Sequence, residues 1–254
     1  MLISFIKGAI RCAFVILVAV LCVIVVSTQE AIPLLYGDFV TGEITDSAPE
    51  VHYTFFGEAG DVIAAEMLSV DRSLQNSLSE PVLKLLDPSG ELLVNTTLAV
   101  PVDDTLLVAE LPVDGEYTLI ASRDVFVPEL ATGGYTLELM LVLEITESTP
   151  VENTITNDDY GHYYVVRTDG TWSLEYERLD GAYAPQITVN ILNPERGGLE
   201  MIGGISGSRI TQAVIGDFEP DETYVIIVRE SHFDFQFGEQ DALYSLNLIA
   251  RSTP

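Results

Sequence analysis

The chain is expected to be all-β: two tandem antiparallel, jelly-roll-like β-sandwiches behind an N-terminal hydrophobic segment. The first reason is that beyond residue 36 apolar and polar residues alternate with period 2, in short runs rich in Val, Ile, Tyr and Thr, and no long window carries helical periodicity. The second is the punctuation of these runs by Gly, Pro, Asp and Asn, which suits sheets joined by tight turns. The third is an internal repeat. Val51-His-Tyr-Thr-Phe-Phe-Gly-Glu-Ala-Gly60 is answered by Gly161-His-Tyr-Tyr-Val-Val-Arg-Thr-Asp-Gly170, and three further landmarks follow in the same order at offsets of 106, 107 and 109 residues. A period this long is that of a whole domain, so each copy needs its own core.

Residues 1–30 stand outside the repeat. Lys7 and Arg11 precede fifteen residues without a polar side chain (12–26), and Ser27-Thr28-Gln29-Glu30 closes the segment. A basic start, an apolar centre and a polar exit describe a signal peptide, or an N-terminal membrane anchor if uncleaved. The rest of the chain is then extracytoplasmic, either secreted or held at the cytoplasmic membrane and facing outside. Both cysteines, Cys12 and Cys22, fall in this segment. The exported part therefore has no disulfide and must be held together by core burial.

In the first copy, domain 31–147, strands are expected at 62–68, 81–86, 106–111, 117–121 and 135–143. In the second, domain 148–254, they are expected at 162–167, 172–177, 187–192, 210–215, 224–229 and 244–249. Asp87-Pro-Ser-Gly90 and Asp114-Gly115 are turn signals, with Pro where φ near −65° is wanted and Gly where positive φ is cheap. Tyr117 and Tyr224 each follow a turn and should lay a ring on the core with the hydroxyl near the sheet edge. Gly203-Gly-Ile-Ser-Gly-Ser208 reads as a flexible turn, and the polar 144–150 stretch as the boundary between copies.

These landmarks resemble the bacterial pre-peptidase C-terminal domain family. The resemblance rests on Gly42-Glu-Ile44, Tyr53-Thr-Phe55, Ala59-Gly60-Asp61, Leu83-Lys-Leu-Leu-Asp-Pro-Ser-Gly90, Gly115-Glu-Tyr-Thr-Leu119 and Tyr135-Thr-Leu137. The second copy departs from the pattern, with Asn193-Pro-Glu-Arg196 in place of Asp-Pro-Ser-Gly and Thr223 before its tyrosine. The resemblance implies a β-sandwich of the kind appended to exported enzymes, associated with secretion, polymer attachment and calcium.

Eleven basic residues face 39 acidic ones. Without Lys7 and Arg11, nine remain against 39, a net of −30. Such a surface repels nucleic acid and anionic membrane, so contact with a membrane is expected only through the N-terminal segment. The acidity reads either as solvation or as calcium binding, since calcium takes oxygen ligands. The candidate ligands are Asp61, Asp71, Asp103, Asp104, Asp158 and Asp159. Phe233, Phe235 and Phe237 alternate, as a core face or as a ring platform for a sugar or other polymer. His52 and His162 share a place in the quoted repeat and read as structural strand residues; His232 lies among the phenylalanines. No Gly-x-Ser-x-Gly, His-Glu-x-x-His or phosphate loop is present, so no enzyme activity is expected. The expected function is an exported, non-catalytic binding or adhesion module of the bacterial cell surface or medium. Its partner would be an extracellular polysaccharide, a protein polymer or another exported protein. The alternative is a structural or maturation accessory of a separately encoded exported enzyme.

Overall fold

A computed structural model describes residues 30–70, 78, 81–96, 104–123, 132–147, 149–156, 159, 161–167, 169–181, 184–193, 198–205, 210–229 and 241–251. The hydrophobic segment 1–29, Asp71, Asp103, Asp158, His232 and Phe233, Phe235 and Phe237 lie outside these residues. Residues from Ala31 onward belong to one compact unit.

The described residues are all-β. The first sandwich contains β1 (Ile32–Pro33), β2 (Phe39–Ile44), β3 (Glu50–Gly57), β4 (Val62–Ser69), β5 (Pro81–Leu86), β6 (Leu92–Asn95), β7 (Asp104–Glu110), β8 (Gly115–Arg123) and β9 (Gly133–Leu141). The second contains β10 (Leu143–Glu144), β11 (Val151–Ile155), β12 (His162–Arg167), β13 (Trp172–Asp180), β14 (Gln186–Asn193), β15 (Gly198–Ile205), β16 (Gln212–Phe218), β17 (Thr223–Arg229) and β18 (Ala242–Ala250). The first sheet runs β1-β3-β8-β5-β6 and the second β2-β9-β4-β7; the third runs β10-β12-β17-β14-β15 and the fourth β11-β18-β13-β16. The first sheet has the strand order of the third, and the second that of the fourth. The repeat in sequence is thus a repeat of topology.

Each sandwich is filled from alternate positions of its strands. Tyr53, Phe55, Met67, Leu83, Tyr117 and Tyr135 centre the first core; Tyr164, Trp172, Tyr176, Phe218, Tyr224 and Tyr244 centre the second. Tyr117 and Tyr224 behave as their turns predict. Each ring is buried, the Tyr117 hydroxyl donates to Val113 O at 2.5 Å, and the Tyr224 hydroxyl accepts from Glu219 N at 2.8 Å. The Asp87 turn also forms as expected: Asp87 Oδ1 accepts from Ser89 N and Glu91 N, and Gly90 takes φ 85°.

Two expectations are corrected. Gly203 and Gly204 belong to strand β15, paired with Val189 and Thr188. A Cβ at Gly204 would lie 2.3 Å from Ile187 O, and one at Gly203 would lie 2.9 Å from Ile215 O. These glycines serve close backbone approach at a sheet edge rather than turn flexibility. The second correction concerns the histidines. Tyr53 pairs with Leu119 and Phe55 with Tyr117, while Tyr164 pairs with Ile226 and Val166 with Tyr224. Anchored on Tyr117 and Tyr224, Tyr53 therefore matches Tyr164, His52 matches Tyr163, and His162 matches Val51. One residue of slip turns a side chain to the opposite face. His52 points away from its core, near Glu50 at 3.6 Å; His162 points toward the inside of its own.

The sandwiches stack face to face. Val62, Ala64 and Val108 of the second sheet meet Tyr163, Val165, Val225 and Ile227 of the third in a separate buried cluster. Val142, the residue between β9 and β10, is buried in that cluster and donates from its N to Val62 O. At one place in this layer Glu66, only 3 % exposed, accepts from Arg229 Nη2 at 2.6 Å and from the Tyr163 hydroxyl. Elsewhere Arg167 donates to Gly60 O at 2.7 Å and pairs with Glu110 at 3.3 Å. Strands β4, β12 and β17 are consequently buried on both faces, which explains their apolar runs at 62–65, 163–166 and 224–228.

Candidate functional site

A cleft of ≈ 470 Å³ opens where β2 and β9 of the first sandwich meet β10 to β12 of the second. Phe39, Leu141 and Leu143 form an apolar rim, 50 %, 42 % and 61 % exposed. Glu138, Asn153, Asp159 and His162 supply the polar lining, beside Tyr164.

Cross-strand register sets these positions. Glu138 lies opposite Phe39 on β2 and opposite Glu66 on β4. Asn153 lies opposite Tyr244 on β18. Asp159 is anchored by the loop before β12, where its Oδ2 accepts from Thr156 N at 2.8 Å and from Thr156 Oγ1 at 2.9 Å.

A chain of hydrogen bonds runs inward from the cleft. Asn153 Nδ2 donates to the Tyr164 hydroxyl at 3.2 Å, the Tyr164 and Tyr244 hydroxyls are 2.8 Å apart, and Tyr244 lies 2.7 Å from His162 Nδ1. One head-to-tail orientation uses every group: Asn153 to Tyr164 to Tyr244 to an unprotonated Nδ1. The imidazole Nε2–H then points toward Asp159 Oδ2, 3.8 Å away.

Burial holds the His162 pKa below the usual imidazole value, against the pull of Asp159. Burial also lifts Tyr244 well above the phenol range, helped by Tyr164. Glu138 moves up, first through burial and then through the charge of Asp159. Among the described residues the Glu138 side chain has no hydrogen bond and no ion pair, whereas its cross-strand neighbour Glu66 holds Arg229.

The sign of the His162 effect is testable. With its folded pKa depressed, the histidine's contribution to stability is intact above the unfolded value near ~6.5. It is lost as pH falls from there toward the lower folded value, because the unfolded chain takes the proton first. Urea denaturation at stepped pH should show this decline in the wild type and a flatter profile in His162→Val. Identical profiles would show that the ring is not held neutral.

The first copy shows what the same frame looks like when closed. Tyr53 and Tyr135 repeat the hydroxyl pair at 2.7 Å, but Val51 stands at the place of His162 and Gly42 at that of Asn153. A Cβ on Gly42 would fall 2.3 Å from the Tyr135 ring, so that site admits no amide. The polar lining of the cleft was hidden in the sequence by the one-residue slip that aligned His162 with His52. Counting back from Tyr224 along the pairing would have exposed it. Glu138 and Asn153 carried no motif.

Of the sequence-derived metal candidates, Asp159 lines this cleft. Asp61 sits in the β3–β4 turn, where its Oδ2 accepts from the Tyr36 hydroxyl at 3.1 Å and from Glu58 N at 3.0 Å. Asp104 begins β7 opposite Leu68. Asp71, Asp103 and Asp158, like Phe233, Phe235 and Phe237, lie outside the described residues. No three His, Cys, Asp or Glu side chains converge on a metal position among the described residues. A second concavity of ≈ 490 Å³ lies on the outer face of the fourth sheet, lined by Glu152, Glu175, Glu177 and Gln212 among others.

No protein-family model matches the sequence, and no curated protein gives a significant match. Among solved structures, the pre-peptidase C-terminal domain of a collagenase from Bacillus anthracis is similar over 44 % of this chain and 95 % of that one, at 15 % identity and a TM-score of 0.33. PliG of Aeromonas hydrophila, a periplasmic inhibitor of g-type lysozyme, covers 44 % of this chain and 96 % of its own at 13 % identity and TM-score 0.30. The CBM22 tandem of Xyn10C from Paenibacillus barcinonensis covers 87 % and 99 % at 7 % identity and TM-score 0.24. These are likenesses of β-sandwich fold.

Proposed function

We propose that this protein is an exported, non-catalytic binding module that takes its ligand in the cleft between Phe39 and His162. The observation that carries the reading is the contrast between the copies. One tyrosine pair is sealed by Val51 and Gly42; the other is extended by His162 and Asn153 into a cleft with an apolar rim. Clefts that pair apolar walls with a few placed polar groups are the usual form of a binding site. The ligand is an extracellular polymer or another exported protein, and export follows from the basic-apolar-polar order of residues 1–30. Calcium is proposed as a stabiliser, with Asp61, Asp71, Asp103, Asp104, Asp158 and Asp159 as its candidate ligands; a melting midpoint indifferent to calcium and chelator would remove it.

Retention of the protein on insoluble polysaccharides and on fibrous protein tests the reading, with the double substitution His162→Val, Asn153→Gly as the comparison. We expect the wild type to be retained and the variant to lose at least about tenfold in affinity, the scale of two lost hydrogen bonds near 1 kcal/mol each. Equal retention of both would remove the cleft from the binding site. Retention of neither on any polymer or exported protein would favour the accessory role.

A further inference from the structure

Resting on that reading of the cleft, we infer that its occupant is a cation on an apolar stem: a primary ammonium or a guanidinium carried by a short methylene chain. Glu138 is a half-buried carboxylate to which no described residue offers a hydrogen bond or a positive charge. Asp159 commits Oδ2 to Thr156 and leaves Oδ1 without a partner among the described residues. The imidazole that lines the same cleft is kept uncharged by burial. At neutral pH the polar lining is thus negative and uncompensated, and the two carboxylates sense each other, since the charge of Asp159 raises Glu138. A cation entering between them relieves that repulsion; an anion or a second carboxylate does not.

The rim selects the rest of the ligand. Phe39 lies directly across the strand pair from Glu138, so a charge seated on Glu138 leaves its stem against the ring. Leu141 and Leu143 flank the same opening. Apolar stems with charged heads pack in this way, methylenes on the apolar wall and the head on the polar one. A ring face adds attraction for a cation. The net charge of −28 raises the encounter rate of such ligands over the whole surface and places none of them; the cleft supplies the position.

The test is a titration followed by ¹H–¹⁵N spectra, with n-butylammonium and n-butylguanidinium as probes and n-butanol and butyrate as controls. We expect saturable shifts at the amides of Gly161, His162, Tyr163 and Tyr164 with the cations alone, weakened about fivefold or more in Glu138→Gln, the scale of one partly buried charge pair. Glu138→Gln removes an unpartnered charge and should leave the fold intact. Lys- and Arg-centred tripeptides separate the sources: tighter binding than the simple amines assigns the site to a partner's basic side chain, and equal binding assigns it to a free amine. If butanol matches butylammonium at the same amides, the cleft stands as a binding site and the cation is wrong. If no probe moves these amides, both readings fall. Shifts spread over the acidic surface, equal in Glu138→Gln, would also overturn the assignment.

Discussion

Arg229→Met is expected to cost about 3–5 kcal/mol of unfolding free energy, the usual penalty for stripping the partner from a buried charge. Glu66 is 3 % exposed and sits in the layer between the sandwiches, bonded to the Tyr163 hydroxyl and to the Arg229 guanidinium 2.6 Å away. Two controls separate this account from simple loss of packing. Joint replacement, Glu66→Met with Arg229→Met, should recover most of the loss, because an apolar pair needs no counter-charge. The single variant should also regain stability on acidification: with Arg229 gone, the Glu66 carboxyl holds a proton more readily folded than unfolded, and its penalty fades as pH falls. Urea denaturation of the three variants at two pH values decides. A loss below about 1 kcal/mol for Arg229→Met would mean that water reaches Glu66.

The second large effect is expected from Val225→Glu. Val225 is 0 % exposed and faces the first sandwich from the middle strand of the third sheet. An unpaired carboxylate there should cost about 4 kcal/mol, and parting of the two sandwiches is the cheapest escape. Calorimetry of the wild type should show one transition with matching calorimetric and van't Hoff enthalpies. The variant should show two, one for each core. A single unchanged transition would contradict the burial of Val225.

Much of this was legible beforehand. Alternation, turn residues and the repeat led to the β-sandwich pair, because those signals are local and each strand carries its own copy of them. Tyr117 and Tyr224 were legible for the same reason: a turn three residues upstream decides where the hydroxyl goes. The stacking of the copies was written more faintly, in the runs Tyr224-Val-Ile-Ile-Val228 and Val62-Ile-Ala-Ala65, which have no polar face to give to water. Strands β1 and β10 escaped because two residues carry no period, and β15 because its glycines imitate a loop; β2, β6 and β11 were also absent from the expected strands. The cleft escaped for another reason. Glu138, Asn153 and Asp159 come from three separate segments and meet only through register, and register cannot be read from one strand alone. Asp159 was picked out for its acidity, and its neighbours had to come from the fold.

The face-to-face arrangement has a consequence for self-association. The second sheet meets the third, not its own counterpart, so the contact is of the head-to-tail kind that can propagate without closing. A further molecule repeating the contact would lay its first sheet on an exposed fourth sheet. The substitutions between copies oppose it. Where Ala64 and Val108 make the inner contact, the fourth sheet has Ser173 and Asp217, bonded to each other at 3.0 Å. Where Val165 and Val225 receive it, the first sheet has Thr54 and Thr118. Glu175 stands where Glu66 does, opposite Asn247 rather than under an arginine. Each end of the pile thus carries polar groups where the inner contact is apolar, which opposes the growth of this geometry into filaments.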